Sequence, residues 1–169
     1  MTPLSTAYAM MGTDENTNAP EATGENVTTI ATRFGTFSVD LDKSIEMPQG
    51  PLGFVDLQSF AILDLPETPD SPLKLFQSLE DRSVTFIVNI VSGHTDLITK
   101  EDLLAACEGY AIDPANAAYL LITKVQRNPD GSSQTTLNLR APIVVDVVHK
   151  VARQVVFAGD KYAMQHIVT

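Results

Sequence analysis

From Thr29 onward the chain is a succession of short apolar runs at a period of two, each cut off within a few residues by proline, glycine or polar turn formers. A period of two sends side chains to opposite faces of an extended strand, and runs broken this often cannot become long helices. The runs are Thr29 to Arg33, Phe37 with Val39 and Leu41, Ile45 with Met47, Phe60 to Leu65, Leu73 to Leu79 and Val84 to Val91. Tyr119 to Gln126, Gln134 to Arg140, Ile143 to Val148 and Gln154 to Phe157 follow, and the chain closes on Tyr162 to His166. Pro66, Pro69 and Pro72 punctuate the first half, and Glu80-Asp81-Arg82-Ser83 reads as a hairpin turn. Asn128-Pro129-Asp130-Gly131, between two alternating runs, is the clearest hairpin signal.

One segment breaks the pattern. Thr99 is suited to cap a helix, with Asp102 as the reciprocal acceptor and Glu101 at the positive end of the dipole. Leu103, Leu104 and Cys107 form its apolar stripe, Gly109 is suited to a left-handed end, and Asp113-Pro114 turns the chain back toward strands. Cys107 is therefore expected in the core. Many short strands with one short helix predict a mainly β fold, a compact antiparallel β-barrel-like or sandwich domain. No internal repeat is visible, which removes solenoids and propellers.

Residues 1–28 carry Asp14, Glu15, Glu21 and Glu25, have no Lys or Arg, and lack any apolar periodicity. They read as a disordered acidic tail before one β domain over 29–169. The apolar stretch Tyr8 to Met11 is too short for a signal-peptide core or a membrane span, and a lone cysteine suits a reducing compartment. A cytoplasmic protein without membrane contact is expected.

Known chemistries fit poorly. Asp40, Asp42, Ser44 and Glu46 have the oxygen spacing of a calcium loop, but Ile45 stands where glycine is needed and Pro51 where glutamate is needed. Gly50-Pro51-Leu52-Gly53 lacks the lysine and the basic setting of a phosphate cradle or an RNA clamp, and reads as a structural loop. His94, His149 and His166 share no helical spacing, and no serine sits in a nucleophile elbow. The pairs Glu80-Asp81 and Glu101-Asp102 are explained by a turn and a cap. No cofactor, no metal and no catalysis are expected. A small-molecule-binding barrel, or a hydrolase built on Glu80-Asp81 or a histidine, stays open as the alternative.

Charge is more informative. Eleven basic residues stand against twenty-one acidic ones, a formal net charge of -10, so nucleic acid is repelled and basic partners are favoured. Within the domain the excess comes from residues 39–70, where Asp40, Asp42, Glu46, Asp56, Asp64, Glu67 and Asp70 oppose Lys43 alone. Val39, Leu41, Ile45 and Met47 alternate with Asp40, Asp42 and Glu46, which leaves these acids on the solvated side. They are either spread for solubility or clustered as an acidic face that steers a basic protein.

Four ordered motifs resemble the family of the flagellar assembly factor FliW. They are Phe34-Gly35, then Pro48 to Phe54, then Leu75 to Asp81, then Asn138 to Val145, with a similar ending at Gln154 to Phe157, Tyr162 and His166. The resemblance covers residue 29 to the end. It implies a β-barrel-like domain that binds flagellin and, once flagellin is exported, binds the RNA-binding regulator CsrA and relieves its repression of flagellin translation. It also points to partner-binding candidates. Phe54 is either an exposed aromatic anchor or a core residue; Gln77, Glu80 and Asp81 either face a partner or form a solvated hairpin end. Asn138 and Arg140 share the polar face of their predicted strand, or serve as internal hydrogen-bond partners.

Overall fold

The alternating runs close on themselves. The computed structural model describes residues 26–91 and 95–168. Seven strands form a ring: β3 (Ile45–Glu46), β4 (Ser59–Asp64), β5 (Leu73–Ser78), β6 (Thr85–Val91), β7 (Ala117–Arg127), β9 (Ile143–Asp146) and β10 (Val151–Gln154). Their order is β7-β6-β5-β4-β3-β10-β9, and β9 pairs back onto β7. Neighbours are antiparallel except β3 and β10, which run parallel through Glu46↔Val151. Closure settles the choice between barrel and sandwich, and it spares these strands a continuous open edge.

The interior is filled with side chains. Phe60 and Phe76 stack with ring centroids 4.4 Å apart, surrounded by Ile45, Met47, Val88, Leu120 and Ile143. Each such side chain contributes roughly 1.5–3 kcal/mol through burial.

A second core lies on the outer face of β7. The helix α1 (Lys100–Glu108) packs Leu103, Ala106 and Cys107 against Tyr119 and Leu121, with Cys107 Sγ 3.2 Å from the Tyr119 hydroxyl. Burial pushes the Cys107 thiol pKa up, so the cysteine is core, as its place in the apolar stripe predicts. Leu104 is exposed and Ala106 fills the stripe instead. Thr99 caps the helix, accepting from Asp102 N. The far end differs from expectation: Gly109 stays right-handed and Ala111 is left-handed, at φ 54°. There Ile112 N donates to the Cys107 carbonyl at 2.9 Å and Ala111 N to that of Glu108 at 3.1 Å. This C-terminal lock turns the buried Ile112 into the core.

The hairpin of β1 (Val27–Thr32) and β2 (Gly35–Asp40) forms a separate two-stranded sheet on the barrel's outside, where Ile30 and Val39 pack on Ala61 of β4. β1 begins at Val27, inside the segment assigned to the tail; residues 1–25 and His94 lie outside the described residues. The Asn128 to Gly131 turn joins β7 to β8 (Ser133–Leu137), and β11 (His166–Val168) pairs with β8.

Two predicted strands need correction. β8 ends at Leu137, because Asn138 Oδ1 accepts from both Arg140 N and Ala141 N and bends the chain into a link toward β9. β10 runs over Val151–Gln154 rather than starting at Gln154, since Asp146 gathers Val148 N and His149 N into a short turn that ends at left-handed Lys150.

The registers place the connections at two ends of the barrel. The loop end carries residues 47–58, the β5–β6 turn and the β8–β9 link. The base carries the β2–β3 connection, the β4–β5 loop and the β9–β10 turn.

Candidate partner-binding surface

At the loop end, two glycines make residues 47–58 fold back on themselves. Gly50 has φ 62°, and a Cβ there would lie 2.4 Å from the Phe54 carbonyl oxygen, so only glycine fits. Phe54 N donates to the Pro51 carbonyl at 2.8 Å and Leu57 N to that of Phe54 at 3.0 Å. Gln154 Oε1 on β10 accepts from Leu52 N at 2.7 Å, and Glu80 Oε2 accepts from Gln58 N at 3.1 Å. The loop is thus tied down on two sides. It nevertheless shows Leu52, Phe54 and Val55 to solvent, 60%, 40% and 61% exposed. Phe54 stands edge-on to Phe86 of β6, centroids 5.4 Å apart. That exposure sets Phe54 outside the buried core.

The other candidates at this end divide. Glu80 and Asp81 are exposed in the β5–β6 turn, where Asp81 accepts from Ser83 N and Oγ and its carboxyl pKa is lowered by those bonds. Gln77 is a correction: it is buried, donating to the Ser78 and Arg82 carbonyls and accepting from the Thr85 hydroxyl. Its side chain closes the turn from inside and cannot meet a partner. Asn138 and Arg140 are half-buried, and the Asn138 carboxamide is spent on the β8–β9 link, the internal role.

The acidic stretch does not form one face. Asp56 lies in the loop-end connection, whereas Asp40, Asp42, Asp64, Glu67 and Asp70 lie toward the base. Asp40 caps a short 3-10 turn (Leu41–Lys43) by accepting from Asp42 N at 3.0 Å, and Lys150 Nζ donates to the Asp42 carbonyl at 2.5 Å. Glu46 is exposed on β3. Asp64 is committed to the fold: it meets Lys74 Nζ at 2.6 Å, and the Lys74 side chain is only 2% exposed. Burial, with Asp70 nearby, raises the Asp64 pKa, and burial lowers that of Lys74. Asp42, Glu67 and Asp70 remain as exposed carboxylates at the base.

Sequence reasoning missed Leu52 and Val55. Their signal was present, since apolar residues in a glycine-bounded loop have no core to enter. It also missed Arg33 and Lys124, which flank a cleft between β6 and β7.

Among the described residues, no cluster of His, Cys, Asp or Glu is placed to hold a metal, and no helix is long and apolar enough to cross a membrane. The class these features define is a filled β-barrel with one packed helix and an apolar loop at one end. The model of the FliW protein family matches residues 28–168, and the chain belongs to that family. It is 33% identical over 142 residues to the flagellar assembly factor FliW of Geotalea uraniireducens (strain Rf4), covering 80% of each chain. It is 31% identical over 139 residues to that of Syntrophus aciditrophicus (strain SB), covering 80% of this chain and 83% of the relative. A crystal structure of the flagellar assembly factor FliW superposes with a TM-score of 0.62 at 24% identity, covering 82% of this chain and 95% of the other, which supports the barrel fold.

Proposed function

We propose that this chain is a cytoplasmic flagellar assembly factor that works by binding proteins and catalyses no reaction. It holds flagellin; when flagellin is exported, it captures a CsrA-type RNA-binding regulator and so couples export to flagellin translation. The observation that carries this reading is the family match over residues 28–168.

The physical features agree with it. An acidic chain suits a basic RNA-binding target and repels the RNA that target holds. The packed Phe60-Phe76 interior argues against the ligand-holding barrel, and Glu80 is tied to Gln58 N rather than facing a substrate pocket. The test is size-exclusion chromatography of the purified chain with a CsrA-type protein and with flagellin. A stable complex with each is expected, and absence of both complexes at micromolar concentration refutes the reading.

A further inference from the structure

β7 outruns its barrel neighbour. The β6–β7 ladder stops at Val88↔Ile122, while β7 continues to Arg127, paired with β8. Asn138 N donates to the Ile122 carbonyl at 2.9 Å, so Ile122 turns its backbone toward β8 and β9. Backbone groups alternate sides along a strand, so those of Thr123, Val125 and Arg127 turn the opposite way, to the side β6 has left. On β6, Ser78 N donates to the Val84 carbonyl at 3.0 Å; by the same alternation Thr85 and Ile87 turn away from β5, toward the same gap. The gap is a cleft of about 220 Å³. Beyond Val88↔Ile122, no strand among the described residues fills it.

The side chains around this edge have a definite chemistry. Phe86 and Ile122 pack against the barrel interior, and Lys124 follows Ile122 on the same face by alternation. Arg33 reaches the cleft from the tip of the outer hairpin. Neither cation has an ion-pair partner among the described residues. Phe54 abuts Phe86, so the exposed apolar loop borders the cleft.

We infer that the free edge of β7, Thr123 to Arg127, is a strand-addition site for an extended segment of a partner protein. Its backbone pairs with that edge, its apolar side chains rest on Phe86 and Ile122, and its carboxylates meet Lys124 and Arg33. The occupant is thus acidic and apolar, the opposite in charge of the partner expected for the acids at the base. Two proteins of opposite charge would then meet this chain at different places. The inference rests on the protein-binding reading for the existence of a partner, and not for the geometry of the edge.

The test uses the full chain with three substitutions. Val125→Pro removes an N–H that points into the cleft and leaves the β8 ladder intact; Lys124→Glu and Arg33→Glu alter no backbone group, which covers a proline variant that fails to fold. Each is titrated calorimetrically with flagellin and with a CsrA-type protein. The expected result is that all folded variants weaken the flagellin complex about tenfold and leave the complex with the basic CsrA-type protein unchanged, whereas loss of the CsrA-type complex instead overturns an acidic occupant. Unchanged binding of both overturns the strand-addition site while the protein-binding reading stands. If neither protein binds the unaltered chain, that reading fails, and an alternating Val/Asp hexapeptide decides the site. Slowed amide exchange at Thr123, Val125 and Arg127 on adding the peptide supports it, and unaltered exchange overturns it. Slow exchange there in the dilute chain alone identifies the chain's own terminus as the occupant. Protection that grows with the chain's own concentration identifies a second copy. Either of these also overturns the proposal.

Discussion

Gln154 on β10 and Leu52 in the loop end are joined by a 2.7 Å hydrogen bond, Leu52 N to Gln154 Oε1, across 102 residues of sequence. The same carboxamide donates from Nε2 to the Ala141 carbonyl at 3.1 Å, so one side chain fastens the apolar loop to the β8–β9 link. Gln154→Ala is expected to cost about 1 kcal/mol of stability. It should also free the loop, so amide exchange at Leu52 accelerates much more than in the barrel strands. Uniform acceleration would mean that the bond serves only global stability.

The two loop glycines separate steric clash from backbone strain. Gly50→Ala must push its Cβ into the Phe54 carbonyl, 2.4 Å away, from a φ of 62°; Gly53 has a φ of 85° and nothing within 4 Å. Gly50→Ala should therefore destabilise by roughly 2–4 kcal/mol and Gly53→Ala by about 1 kcal/mol. Urea unfolding of both variants measures the gap, and equal losses would show that the loop relaxes around the added methyl.

Charge reversal at Asp42, at the base, and Glu46, on β3, probes steering. Asp42 and Glu46 are exposed, and only Asp40 has its carboxylate in a cap. Asp42→Lys with Glu46→Lys is expected to weaken capture of a CsrA-type protein and to flatten its salt dependence, with little change in unfolding midpoint. Inhibition that holds its strength and salt slope would exclude these acids from the encounter.

The strands were legible because an alternating apolar pattern is a local property, and burial of Val39, Ile45 and Met47 follows from it directly. Thr99 was legible for the same reason, since a cap acts within one turn. Barrel closure was not, because the β7–β9 and β3–β10 pairings join segments whose contact leaves no mark on either one. Gln77 misled because a polar residue beside a turn usually faces water, while here the turn's own carbonyls needed a buried donor. The acidic stretch misled because β4 carries the chain from one end of the barrel to the other between Asp56 and Asp64.

Ala111 offers a stabilising substitution. It is left-handed, at φ 54°, at the end of α1, a position where a Cβ costs energy and where glycine is the usual occupant. Ala111→Gly removes that strain but gives the unfolded chain more freedom, so the net gain is roughly 0.5–1 kcal/mol. Calorimetry should show a Tm higher by about 2 °C. A lower Tm would mean that the alanine methyl makes a contact that outweighs the strain.

Asp102 should give α1 its own acid sensitivity. Its carboxylate accepts from Lys161 Nζ at 2.6 Å, from the Tyr162 hydroxyl and from the Thr99 hydroxyl at 2.8 Å. These bonds, led by Lys161, depress its pKa from 3.8 to about 2. A carboxyl whose folded pKa lies below its unfolded one stabilises the fold fully above the unfolded value, and the contribution fades as pH falls through the folded one. The loss therefore falls between about pH 4 and about pH 2, with the C-terminal Lys161-Tyr162 segment coming away from the cap of α1. Carbon-13 titration of the Asp102 carboxyl should give a midpoint near 2, and Asp102→Asn should remove that part of the acid-unfolding slope. A midpoint at the ordinary value of 3.8 would show that the three donors do not hold the carboxylate in solution.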